Sequence, residues 1–352
     1  MKSARRRKAA SPRSCLVKGV QKMPQASALF AVARIRVLEK GLIGKERMAR
    51  FLDLNAEDIL RQLTEGGYGT LPDATPEEIE QLIASELDRT MAVIEELTPD
   101  PEATDLYRLR SDIHNLKILL KLRLQGDREV PAFMNGGVYH PESLSRMVQE
   151  KNYRDLPEDF ASALKRLEKQ LEGEIDPREI SIALDQAYFA HVAASPACKK
   201  YPLIRDFFAG RADFDNILTL LRLKAMDAPE VQLRNSLLPG GGISKEQFIK
   251  AYSAGSESYA RLLATGPAAG AIKKALAEYA ETGRPTVLER ARDNWLISLF
   301  RPVKAESDSL YPILGYLIAR EQEAKCIRLL VTAKRNGLAA DIIEERMREL
   351  YG

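Results

Sequence analysis

A stretch that returns three times constrains this chain more than any other feature. Asp112-Ile-His-Asn-Leu-Lys-Ile-Leu-Leu-Lys-Leu-Arg123 aligns with Asp213-Phe-Asp-Asn-Ile-Leu-Thr-Leu-Leu-Arg-Leu-Lys224 at an offset of 101, and Glu323-Ala-Lys-Cys-Ile-Arg-Leu-Leu-Val-Thr-Ala-Lys334 is a fainter third copy. One such match means little, because helices rich in Leu and Lys resemble one another. The surroundings repeat too. Fourteen residues before Asn115, Asn216 and Cys326 stand Pro101, Pro202 and Pro312. Forty residues before the same three positions stand Thr75-Pro-Glu-Glu78, Asp176-Pro-Arg-Glu179 and Thr286-Val-Leu-Glu289. In each, a side-chain oxygen at Thr75, Asp176 or Thr286 is placed to cap a helix, with a Glu three residues on to return the bond. Pro76 and Pro177 take the first helical position, where a missing N–H costs nothing. Three landmarks at constant spacing in three copies mean one module, triplicated.

The module is helical. After its proline each copy runs about 24 residues without another Pro and, apart from Gly210 and Gly315, without Gly, a length of about 36 Å as a helix. It stops at Gly126, at Asp227-Ala-Pro229 and at Gly337, the two glycines suiting a left-handed residue past a helix end. Leu106, Leu109, Ile113, Leu116 and Leu120 recur at helical steps, as do Ile79, Leu82, Ile83, Leu87, Val93 and Ile94. Strand alternation is not sustained anywhere, so the expected fold class is all-α. Asn135-Gly-Gly137 and Pro239-Gly-Gly-Gly242 separate the copies, the second followed by a capping box at Ser244-Lys-Glu-Gln247. The expected division is 1–24 as a basic disordered tail, then modules at 25–130, 131–236 and 237–352. At 352 residues the chain exceeds one ordinary core, and modules of this size each hold a modest one.

Charge is unevenly spread. The formal net charge of +3 averages eight Lys/Arg and no acid in residues 1–22 with 45 basic against 50 acidic residues in the rest, a net of −5 there. The tail reads as disorder or as sequence ahead of a start at Met23, with a transit peptide or an anionic-lipid contact as alternatives. A near-neutral whole gives no footprint for nucleic acid. No run approaches the roughly 18 apolar residues of a membrane span.

Few residues suggest chemistry. Cys15, Cys198 and Cys326 lack the spacing of a zinc or redox pair, three cannot all pair, and a reducing cytoplasm is the expectation. His114, His140 and His191 form no ligand-spaced cluster. Gly240-Gly-Gly-Ile-Ser-Lys245 and Gly266-Pro-Ala-Ala-Gly270 lack the spacing of a phosphate loop. No metal, cofactor or catalytic residue is expected. Asn115 and Asn216 sit mid-helix, where Asn is a poor helix former. An interhelical hydrogen bond fixing register is their expected role, and partner docking the alternative. Cys326 makes such a bond poorly, so the third copy should differ there. Trp295 is expected to anchor the core of the third module.

In order, these residues resemble the C subunit of V/A-type rotary ATPases, a central-stalk component and the counterpart of the eukaryotic d subunit, over 27–352. Phe30-Ala-Val-Ala-Arg-Ile-Arg36 is similar to the family's opening helix, and Leu63-Thr-Glu-Gly-Gly-Tyr68 to its L-x-x-T-x-Y. The two Asp-x-x-Asn helices and Pro312-Ile-Leu-Gly-Tyr316 with Glu323-Ala-Lys-Cys-Ile-Arg328 complete the pattern. Cys326 stands where the family usually has Asn, and the tail lies outside the resemblance. The resemblance implies a funnel of three helical domains with pseudo-threefold symmetry on the cytoplasmic face of the membrane. It implies a non-catalytic socket between the central axle (D- and F-type subunits) and the membrane rotor ring, transmitting torque between ATP turnover and proton or sodium transport. The net negative body would complement a basic axle foot or basic ring loops. The rival reading is a helical-repeat adaptor that binds unrelated partners along a concave face. A helical enzyme would need a carboxylate-lined pocket.

Overall fold

A computed structural model describes residues 27–69, 75–125, 133–171 and 176–351, so the basic tail and Gly126 lie outside the described residues. Among the described residues there are helices and no strand. The chain opens with α1 (Ala28–Glu39), α2 (Lys45–Phe51), α3 (Ala56–Leu63) and α4 (Pro76–Leu97). The first long helix, α5 (Pro101–Gln125), is followed by α6 (Pro141–Gln149), α7 (Glu158–Gln170), α8 (Pro177–Ala194) and α9 (Pro196–Lys200). The second, α10 (Pro202–Ala225), is followed by α11 (Glu230–Ser236), α12 (Lys245–Ser253), α13 (Tyr259–Leu263), α14 (Ala269–Thr282) and α15 (Thr286–Ser298). The third, α16 (Tyr311–Arg335), leads to α17 (Ala340–Arg346) and the C-terminus.

Local chemistry sets these ends. Thr75 and Glu78 form a reciprocal capping box at the start of α4, and Ser244 and Gln247 form another at α12. Asp176 caps α8 by accepting the Arg178 N–H. Thr286 does not cap. The residue before it, Pro285, is already helical (φ −61, ψ −22), so Thr286 lies inside α15 and no side chain caps that end. A side-chain cap needs extended backbone at the capping residue. At the other ends, Asp227 (φ 50) and Gly337 (φ 67) take the left-handed conformation. Beyond them Ala228 and Leu338 donate back to the carbonyls of Leu223 and Ala333, each at 3.0 Å. These paired bonds satisfy the last free carbonyls of α10 and α16 in the same way.

Three buried clusters show how the long helices relate. The first joins their opening halves: Leu106, Tyr107 and Leu109 of α5, Phe207 and Phe208 of α10, and Ile313, Leu314 and Leu317 of α16. The Tyr107 ring lies 5.1 and 5.0 Å from those of Phe207 and Phe208. The remainder of α5 stays in this cluster with α6, α7 and α8. The later half of α10 packs instead with α11 to α15, through Phe214, Ile217, Phe248, Ile272 and Leu288. The later half of α16 packs with the start of the chain: Ala324, Ile327 and Leu330 meet Phe51, Ile59, Leu63 and Ile83. The long helices thus share one core and then part, each into its own. At about 1.5–3 kcal/mol per fully buried large apolar side chain, each cluster is a substantial source of stability. Trp295 on α15 lies over Gly210 of α10, where any Cβ would overlap its ring, so it anchors α15 to α10.

Candidate functional site

The repeat-marking residues act as clasps. Asp112, fully buried, accepts the N–H groups of Val138 (2.8 Å) and Tyr139 (3.2 Å). Three residues on, Asn115 donates to the Met134 carbonyl (2.8 Å) and accepts from the Met134 N–H (2.9 Å). On α10, Asp213 accepts from Gly242 and Ile243, both at 3.0 Å. Asn216 exchanges the same pair of bonds with Leu238, at 3.0 and 2.7 Å. The two Asn therefore grip linker backbone and not a second helix. A side-chain amide carries both a donor and an acceptor, and an extended linker residue needs both.

These clasps also explain the linker glycines. A Cβ on Gly137 or Gly241 would overlap the carboxylate oxygen of Asp112 or Asp213. Gly136 (φ 74) and Gly240 (φ 82) take the left-handed turn just before. Burial pushes the Asp112 carboxyl up to about 7 and that of Asp213 up to about 6, against the pull of their two backbone donors.

The third clasp is made differently. Glu323 accepts the Ile43 N–H (2.9 Å) and the Tyr68 hydroxyl, and pairs with Arg320 (2.9 Å). The Cys326 thiol donates to the Arg348 carbonyl, at 3.6 Å, and otherwise sits in an apolar cluster. Gly41, Ile43 and the α2 cap Gly44 thus fill the places of Gly241, Ile243 and the α12 cap Ser244. This third linker is not among the expected module breaks, although Gly41-Leu-Ile-Gly-Lys45 beside Gly241-Gly-Ile-Ser-Lys245 carries the signal. Arg320 lies between the Tyr68 and Tyr316 rings, 5.7 and 5.5 Å from their centres, and also meets Glu86 at 3.4 Å. Burial, with the Arg320 charge opposing, leaves the Glu323 carboxyl above its usual range.

Between the clasped helices lies a charged space. Arg110, Arg211 and Glu321 hold the same repeat position on α5, α10 and α16, and all line a cavity of about 310 Å³. Arg110 and Glu321 form a two-pronged pair, one prong 3.2 Å long. One turn on, the equivalent residues are His114, Asp215 and Lys325. Arg292 bridges Asp215 (2.6 Å) to Asp293 (3.3 Å), and Lys325 also reaches Asp293 (2.8 Å). Burial alone would raise the Asp293 and Glu321 carboxyls. Lys325 and Arg292 around the first, and Arg110 beside the second, outweigh it and hold both below the usual range. Burial, then Lys117 and Arg110, lower the His114 imidazole, which favours its neutral form.

An adjoining cavity of about 660 Å³ extends towards the ends of α5 and α10. Among the described residues Arg110, Lys117, Lys121, Arg178, Arg211, Arg222 and Arg292 line it, against Asp185, Asp215 and Glu289. Its lining is basic although the chain beyond the tail is net acidic. Lys121 and Arg222, again at equivalent repeat positions, make no ion pair among the described residues. Lys117 pairs with Asp185 (2.5 Å), and Arg211 and Arg292 both reach Asp215 (3.8 and 2.6 Å).

Helical units repeated in one chain, with equivalent positions turned to a common charged space, define a repeat protein that presents an interior surface. Residues 31–346 match the family described as ATP synthase (C/AC39) subunit, and the chain belongs to that family. It is 23% identical over 319 residues to the C subunit of the V-type sodium ATPase of Enterococcus hirae, covering 90% of this chain and 97% of that one. It is 24% identical to the C subunit of the A-type ATP synthase of Thermococcus onnurineus, covering 91% and 88%. Against the C subunit of the A-type ATP synthase of Archaeoglobus fulgidus the identity is 23%, covering 93% and 98%. The chain is thus a subunit of a rotary ATPase. Among the described residues no helix is long and apolar enough to cross a membrane.

Proposed function

We propose that this chain is the non-catalytic socket of the central rotor. It joins axle subunits of the D and F type to the membrane ring on the cytoplasmic face, and it passes torque between them. The observation that carries this reading is the common charged space faced by equivalent positions on three long helices, Arg110, Arg211 and Glu321 first among them. A linear stack of repeats would spread those positions along a concave face and leave no shared interior. On this reading the body is a funnel with pseudo-threefold symmetry, narrow where the opening halves of α5, α10 and α16 share a core and open where they part. Each unit starts at a long helix and takes in the helices after it, and the third closes through the first residues of the chain. The basic lining reverses the expected complementarity: the element received in the cavity carries acid.

Affinity purification of the tagged full chain from gently solubilised membranes tests this reading. Recovery of ATPase head and rotor ring is the expected result, and failure to recover either overturns it. Replacing Lys121 and Arg222 together by Glu should weaken axle retention, by tenfold or more on the scale of buried charge contacts. Undiminished retention would remove the axle from this cavity.

A further inference from the structure

On α5, Arg110, His114, Lys117 and Lys121 follow one another at steps of four, three and four residues, and all line the cavity of about 660 Å³. Such steps keep them on one helical face, in a row about 16 Å long. Across the cavity α10 brings Arg211 and Arg222, and α15 brings Arg292. The cations outnumber the carboxylates that could neutralise them. Asp215 and Asp293, two carboxylates, are shared among four cations, Arg211, Arg292, Lys325 and Arg348. Lys117 has Asp185 and Arg110 has Glu321, but Lys121 and Arg222 have no ionic partner among the described residues. The surplus is felt inside the cavity. Burial first, then Lys117, Arg110 and Lys121, lower the His114 imidazole that sits among them. Cations gathered between low-dielectric walls focus a positive potential, and a counter-ion is held more strongly there than on an open surface.

We propose that this cavity binds a free oligophosphate anion, a chain of phosphate groups, with Lys121 and Arg222 as its principal contacts. Volume sets the size of the ligand: about 660 Å³ lies within the range of small-molecule sites. Residue type sets its chemistry. A guanidinium fork meets phosphate oxygens in pairs, and an ammonium meets them as a point charge. The row of cations sets its valence, since one phosphate would leave most of the row unanswered. Ser181 on the facing α8 adds a hydroxyl to the same lining. In the socket reading these cations meet acid on the axle, so the oligophosphate occupies the cavity only while the axle is out. Binding is measured on the isolated chain, and it stands or falls separately from that reading.

Isothermal titration calorimetry of the full chain with sodium triphosphate, with monophosphate and with ATP tests it. Triphosphate should bind about tenfold or more tighter than monophosphate, and high salt should weaken it. Replacing Lys121 and Arg222 by Ala should weaken triphosphate binding about tenfold or more, without lowering the thermal midpoint of the free chain, because neither charge is paired. Replacing Lys273 and Lys274 by Ala should leave binding unchanged, since both are exposed on α14 and lie outside the cavity. ATP binding tighter than triphosphate gives the anion to a nucleotide, and ATP binding no tighter gives it to a free phosphate chain. Equal affinity for monophosphate and triphosphate overturns the proposal. So does binding that survives in the Lys121→Ala/Arg222→Ala variant, or that falls as far when Lys273 and Lys274 are replaced.

Discussion

In the first two clasps, an Asp and an Asn on one long helix grip a stretch of chain that follows within thirty residues; in the third, Glu323 and Cys326 grip opposite ends of the sequence. The backbone groups to be satisfied are alike. The difference lies in covalent continuity. Where the chain runs through the clasp, one carboxylate and one amide are joined by a single further side chain, Arg108 on the Gly136 and Gly137 carbonyls in the first and Gln186 on those of Asn235 and Leu237 in the second. Where it is broken, further bonds gather. Glu323 is tied to Tyr68 and Arg320, and the C-terminal segment is held by Arg301 on Glu349 (2.6 Å), by Asn294 accepting the Glu349 N–H (2.8 Å) and by buried Leu350 and Tyr351. An unlinked junction gains nothing from chain connectivity, so its own interactions must offset the freedom of two ends.

Four measurements would break or sharpen this contrast. Glu323→Ala should cost about 2–4 kcal/mol in urea unfolding, because it removes the nearer of the two buried carboxylates beside Arg320, leaving Glu86 at 3.4 Å, and orphans the Ile43 N–H and the Tyr68 hydroxyl. Asp213→Ala, which orphans only two N–H groups, should cost less, and equal costs would end the claim that the broken clasp is the more heavily tied. Next come the glycines: Gly241→Ala should cost about 1–3 kcal/mol, since the new methyl displaces the Asp213 carboxylate. Gly41→Ala should be milder, because a Cβ there meets its neighbours at an ordinary 3.4–3.5 Å, the longer Glu323 having left room.

The third test sets amide against thiol. Asn216→Ala removes two hydrogen bonds and leaves the Leu238 N–H unsatisfied, for about 1–3 kcal/mol. Cys326→Ser, at the same repeat position, should stay within about 1 kcal/mol. Comparable losses in thermal midpoint would make the two positions functionally alike after all.

The smallest effect is one of pH. Asp112 holds its proton up to about 7 in the fold, against 3.8 when free, so the folded chain binds a proton that the unfolded chain has released. Its contribution is complete below about pH 4 and lost as pH rises through about 7. The margin of the parent chain over Asp112→Asn should therefore shrink between about pH 5 and pH 8, by at least about 1 kcal/mol. A margin that grows with pH would mean that the backbone donors outweigh burial.

Much of this architecture was readable from spacing. Thr75, Ser244, Pro101 and Pro202 act within a turn of themselves, so their neighbours in sequence are their neighbours in space. Thr286 shows the limit even there: the motif was present, but Pro285 had already started the helix. Asp112, Asn115, Asp213 and Asn216 were visible as repeated marks, while their partners were not, because a linker some twenty to thirty residues away can grip or miss depending on how the chain turns. The third linker was harder still, its halves lying at opposite ends of the sequence. Net charge misled about the cavity. Its basic lining comes from side chains of several helices turned to one side, and a sum over the chain has no direction.

Periodicity and caps by themselves made the described residues helical, because helix formation and capping are local contests won within a few residues. Tertiary structure alone decided which segment each buried carboxylate holds, that Ile43 and Arg348 complete the third clasp, and that Lys121 and Arg222 face a common space. Those outcomes depend on burial, and burial depends on residues distant in sequence that become close only when the whole chain has packed.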